Sequence, residues 1–259
     1  MVEEVEEKVK VNPKFVNYLN IYEFETTLPG SGQVVKFKPL TTGQLKKLLV
    51  YENETSIIIQ EEAIDKLITS CVVSENFDID ELFLQDRFFL LIEIRKKTKG
   101  EKYSFTFKCP KCGSQIINDI DLDSMPVTTT SPDIDHSVML TEDIGVTLNY
   151  LKRKDFKLIS QFLDVDEKRT ETQINSGIQT GLFAAGIESV ASPDGIEEDV
   201  DIQSKIYLIE NVPTSGYEVI KNWYEDNDFG IDMSVSVACI NEQCGYENTE
   251  DIPMGDFFL

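Results

Sequence analysis

One histidine, His136, is all that the 259 residues contain. A Ser-His-Asp triad or an imidazole-based hydrolase centre therefore lacks its base, because this histidine stands in a loop-like stretch beside Pro132, where solvation is the expected state. Phosphate loops are missing too: Gly30-Ser31-Gly32 sits in a turn pattern with no Lys-Ser/Thr and helix behind it, which argues against nucleotide binding. Long apolar runs are absent. The longest, such as Phe88 to Ile92, fall far short of the roughly 20 residues that cross a bilayer. The acidic stretch Glu3 to Glu7 lacks the basic flank of a signal peptide, so a cytosolic product with no membrane partner is expected. Positive charge is scarce, with 24 Lys and Arg against 47 Asp and Glu and a net charge of -23. Such a chain repels phosphate backbones, and the basic runs Arg95 to Lys99 and Lys152 to Lys154 are short enough to be dipole-compensating or solvated clusters. Carboxylates are too numerous for any pair to be informative. No catalytic constellation emerges, and the chain is not expected to be an enzyme.

What is present is apolar enough, at 41%, to bury a core. Five cysteines stand in a chain without a secretory pattern, which argues against a disulfide framework and for metal. Cys109-Pro110-Lys111-Cys112-Gly113 and Cys239-Ile240-Asn241-Glu242-Gln243-Cys244-Gly245 both have the short spacing that lets two thiolates reach one zinc ion. A glycine after each second cysteine permits the positive φ of a tight turn. Tyr103 to Phe107 and Met233 to Val237 alternate as strands before each pair, and Ile116 to Leu122 and Tyr246 to Ile252 can return after it. Cys109, Cys112, Cys239 and Cys244 thus predict one structural zinc per chain, held by a ribbon of two hairpins. A redox site would need only one pair, usually at a helix N-terminus. Cys71 is in phase with Ile64, Leu67 and Ile68 on an amphipathic helix and is expected to be an inert core thiol.

The predicted fold class is α+β, with an N-terminal β-hairpin, a helical core, and a four-cysteine zinc ribbon made of two hairpins from distant parts of the chain. Residues 1–16 are read as a flexible acidic arm. Residues 17–100 form an N-terminal hairpin plus helical region, with the hairpin turn at Pro29-Gly30-Ser31-Gly32 and helices over 57–72 and 80–97. The first ribbon hairpin covers 101–125 and a linker 126–136. A mostly helical region over 137–230 holds a short strand pair, helices over 155–163, 171–190, 202–209 and 217–224, and an acidic loop over 192–201. The second ribbon hairpin and an apolar tail fill 231–259. The tail ends on Phe257, Phe258 and Leu259, which either dock on the chain's own core or serve as partner-binding residues.

The order of these features resembles the baseplate hub protein family of T-even-type contractile-tailed phages. The shared landmarks are Leu28-Pro29-Gly30-Ser31-Gly32 leading into Val35-Lys36-Phe37-Lys38-Pro39-Leu40, then Leu48-Leu49, and Asp78-Ile79-Asp80. The helix ending Ile94-Arg95-Lys96-Lys97-Thr98-Lys99-Gly100-Glu101 and the block Ile120-Asp121-Leu122-Asp123 complete them. The likeness runs from about residue 18 to residue 150, and more loosely takes in the second cysteine pair and Phe257-Phe258. The family commonly has Arg-Pro-Phe at Lys38-Pro39-Leu40 and a glutamate run at Gly43-Gln44. The resemblance implies a non-enzymatic tail protein, either a component of the baseplate central hub or an assembly chaperone, with other hub or tape-measure proteins as partners. It also implies a place in the host cytoplasm during assembly and, for a retained component, in the virion tail. The alternative is a zinc-ribbon nucleic-acid-binding or transcription-related protein, which the acidic charge and the lack of a basic, aromatic stripe at the knuckles disfavour.

Overall fold

The computed structural model describes residues 22–51, 54, 56–162, 171–253 and 257–258; the arm over 1–16 and Leu259 lie outside them. The turn at Pro29 to Gly32 joins β1 (Phe24–Thr27) to β2 (Val34–Phe37), paired antiparallel from Phe24 with Phe37 to Thr27 with Val34. Strand period puts Val35 and Phe37 inward and Val34 and Lys36 outward. The turn is held from below by the buried Asp86 carboxylate, which accepts from Gly30 N at 2.6 Å and Ser31 N at 2.9 Å. Helix α1 (Thr42–Leu48), α2 (Ile57–Cys71) and α3 (Leu84–Lys99) follow. The last starts four residues later than its apolar pattern suggests. Asp78 accepts from Asp80 N and closes a short 3-10 turn over Ile79–Glu81, and Phe83 then leaves helical geometry. Phe89, Leu90, Leu91, Ile92 and Ile94 are all buried, so α3 runs through the core as its sequence predicts.

Next comes the antiparallel hairpin of β3 (Lys102–Lys108) and β4 (Gln115–Asp121). The stretch expected to be a linker holds β5 (Val127–Thr128), and Thr130 ties it to the first turn by donating from N to Pro29 O and from its hydroxyl to Gly30 O. Strands β6 (Ser137–Met139) and β7 (Gly145–Leu148) lead to helices α4 (Arg153–Phe162) and α5 (Glu171–Gly186). Then β8 (Ile187–Ser192) and β9 (Gly195–Glu197) complete an antiparallel sheet in the order β6-β7-β8-β9. Within 137–230 the expected short strand pair, β6 and β7, is thus joined by β8 and β9 into one sheet beside the helices. The helix expected to reach Val190 stops at Gly186, where a Cβ would collide with the Tyr224 hydroxyl. Its apolar pattern had continued into Ile187 and Val190, which belong to a strand, and the supposed loop over 192–201 contains the turn and β9.

Helices α6 (Ile202–Asn211) and α7 (Thr214–Asp226) close this unit, and Asp201 caps α6 by accepting from Gln203 N and Ser204 N. Strand β10 (Gly230–Ile231) pairs with β5, and β11 (Ser234–Ala238) pairs with β12 (Glu247–Asp251) as the second hairpin. Two cores result. The first takes Leu28, Phe37, Ile68, Leu90, Tyr103 and, from the far end of the chain, Ile252. The second lies between the four-stranded sheet and α5, α6 and α7, around Leu148, Phe183, Ile209 and Trp223. An aromatic seam spans the gap: Phe83 meets Phe229 and Tyr150 edge-on, and Tyr150 in turn touches His136 and Trp223.

Candidate metal centre

Each cysteine pair sits in the loop of its hairpin, so strand register decides where the sulfurs point. In the first hairpin Tyr103, Phe105 and Phe107 face inward opposite Ile120, Asn118 and Ile116, and the ladder delivers Cys109 and Cys112 to one end. Cys109 N donates to Ser114 O and Gly113 N to Cys109 O, which closes a tight knuckle. In the second, Cys239 N donates to Tyr246 O and Cys244 N to Asn241 O. Gly113 and Gly245 take φ of 76° and 59°, the left-handed turn that the sequence leads one to expect after each second cysteine.

The two knuckles meet. Cys109 Sγ lies 3.8 Å from Cys244 Sγ, Cys112 Sγ lies 3.5 Å from Cys239 Sγ, and all four sulfurs lie within 4.8 Å of one another. A tetrahedral ion with Zn–S bonds of about 2.3 Å has sulfurs about 3.8 Å apart, so the donor set fits one such ion in both kind and spacing. Residues as far apart as 135 positions thus converge on one point. The cluster has a dry and a wet side: Cys109 and Cys244 are buried, Cys112 is exposed. The Ser114 hydroxyl, 3.3 Å from Cys112 Sγ, stabilises its thiolate and holds the thiol down at about 6, whereas burial pushes Cys244 up to about 12. Lys111 Nζ donates to Cys244 O at 2.5 Å and crosses from one knuckle to the other. Phe107 and Tyr246 stack with centroids 6.4 Å apart beside the sulfurs. This aromatic pair was overlooked in the sequence, although its signal is symmetrical: one ring two residues before Cys109, the other two after Cys244.

The remaining candidates lie elsewhere. Cys71 is buried in the first core, and burial raises its thiol to about 11, which makes it a poor nucleophile. His136, expected in solvent, is half-buried between Tyr150 and Trp223, with Nδ1 2.7 Å from Leu148 O. Of the two alternatives for the C-terminal aromatics, the packing is that of self-docking: Phe257 and Phe258 are 2% and 8% exposed within the first core. Arg95 Nε donates to Phe257 O at 3.2 Å, and Tyr103 Oη to Pro253 O at 2.7 Å. Members of both basic runs are paired within the chain. Lys96 pairs with Glu93 and Asp123, Lys152 and Lys154 with Glu81, and buried Arg153 with Asp65.

Curated proteins and solved structures give no match to the chain. Among protein families, the one described as T4 bacteriophage base plate protein matches residues 20–259, from just before the first hairpin through both knuckles and the docked C-terminal aromatics. Matched over nearly its whole length, the chain belongs to this family of T4 bacteriophage base plate proteins.

Proposed function

We propose that this protein is a non-enzymatic component or assembly factor of the phage baseplate central hub, acting through contacts with other hub or tape-measure proteins, and that one zinc ion closes its ribbon. The observation that carries the reading is the family match over residues 20–259. The zinc assignment rests on the four sulfurs of Cys109, Cys112, Cys239 and Cys244, spaced as the edges of one tetrahedron. Bound there, zinc supplies a crosslink, because four thiolates fill the shell and leave no position for water or substrate. The chain's own groups set up that shell: the knuckle amides orient the loops, Ser114 favours the Cys112 thiolate, and Lys111 bridges the hairpins. Net charge of -23 and the pairing of Lys152, Arg153 and Lys154 with carboxylates oppose a nucleic-acid ligand.

Two measurements test this. Elemental analysis of protein purified without added metal is expected to give one zinc per chain, and a metal-free preparation of unchanged thermal stability removes the zinc. Mass spectrometry of purified particles beside infected-cell lysate is expected to find the protein with baseplate proteins, in the virion for a resident and only in assembly intermediates for a factor that leaves. Its absence from both removes the hub assignment.

A further inference from the structure

Between α3 and β10 runs a groove that none of the preceding roles uses. It consists of two adjoining cavities of about 570 and 310 Å³ that share Phe88, Asp228, Phe229 and Ile231. Phe88, Ile231, Met233 and Ile252 give it an apolar floor. Asp228, Asp232 and Asp251 stand on its rim, and no Lys, Arg or His lines either cavity. All three carboxylates are exposed, and none has an ion-pair partner among the described residues. Asp232 accepts from Ser234 N at 2.9 Å, and Asp228 accepts from Gln85 Nε2 at 3.2 Å, which fixes both groups at the rim. At the narrow end Gln85 also carries a buried carbonyl oxygen with no hydrogen-bond partner among the described residues. The polar groups are thus mostly acceptors in search of donors.

We propose that this groove docks a short basic and apolar segment of a partner protein, one large apolar side chain seated on the floor and Lys or Arg facing the three aspartates. Charge complementarity selects this occupant. An acidic segment meets three unpaired carboxylates on a chain of net charge -23, and a bare cation leaves the floor of Phe88 and Met233 in water. The volume lies in the ~300–1,000 Å³ range that takes a few side chains rather than a whole domain. The proposal rests on the reading that the protein works through protein contacts.

The test uses the full chain against overlapping synthetic peptides that cover the other tail proteins of the same phage, with each retained peptide then titrated in solution. Retained peptides are expected to place Lys or Arg beside a large apolar residue and to weaken steeply with salt. The double variant Asp228→Asn/Asp251→Asn is expected to lose about tenfold in affinity with zinc content and melting temperature unchanged. Thr128→Arg, at the exposed rim, is expected to weaken the same peptides should the double variant fold poorly. Retention of acidic or uncharged peptides, affinity unaltered by these variants, or binding that appears only after residues 1–21 are deleted overturns the proposal; the last would mean that the chain's own arm fills the groove. Absence of peptide binding in a protein that still co-purifies with baseplate proteins overturns the groove alone. Absence of both overturns the groove and the reading beneath it.

Discussion

Cys109 and Cys244 are the buried pair of the thiol cluster, so losing either opens the cluster from its dry side. Cys109→Ser or Cys244→Ser is expected to abolish zinc retention and to lower stability by at least ~2 kcal/mol, read by elemental analysis and thermal melts, whereas Cys71→Ser keeps one zinc per chain. A second residue-scale dependence lies at Asp65. Its carboxylate accepts from Arg87 Nε at 2.7 Å and from Arg153 Nε at 2.8 Å, and both guanidinium groups are buried. Asp65→Asn takes the carboxylate partner from buried Arg153 and leaves Arg87 with Glu61 alone, and is expected to cost ~3–5 kcal/mol in chemical denaturation. The two sites differ in how visible they were in advance. Cysteine spacing is a local signature of thiolate chemistry, and the four cysteines that cluster could be read directly. Asp65 is one of 47 acidic residues, and its partners lie 22 and 88 positions away with nothing local to mark them.

The junction of α5 and β8 shows an element boundary set by packing rather than by propensity. Gly186 sits where Tyr224 crosses, its hydroxyl donating to Asn149 O at 2.9 Å. Gly186→Ala is expected to lower the denaturation midpoint by the equivalent of ~1–3 kcal/mol, since the new methyl collides with that hydroxyl, and Tyr224→Phe in the same background is expected to recover part of the loss. Helix period and strand period overlap across Ile187 and Val190, which is why the sequence pattern carried the helix too far. The two cysteine-bearing hairpins were legible because period-two alternation, loop cysteines and following glycines all agreed. At β8 and β9 only Pro193-Asp194-Gly195 announced a turn, inside an acidic stretch that resembles an exposed loop.

At the scale of the molecule, the C-terminal region is tied back twice, once to the middle of the chain by the thiol cluster and once by the first core, which holds Leu28 together with Phe257 and Phe258. Deleting residues 257–259 removes two buried aromatic rings, each worth ~1.5–3 kcal/mol, and is expected to lower the melting temperature of the isolated protein clearly. A truncated protein with an unchanged melt would show that the aromatics contribute nothing to the core. The overall class, helices with separate hairpins, was readable from periodicity. The pairing of β5 with β10 and the return of the far C-terminal aromatics to a core begun at Leu28 were not, because such contacts leave no periodic trace. That return sets an order of events on the ribosome. The first hairpin and α3 emerge from the exit tunnel well before residue 258, so the core they share stays unfinished, and its apolar lining open to chaperones, until Phe257 and Phe258 have been translated. Only a protein translated as far as its docked aromatics has both its knuckles and its core complete.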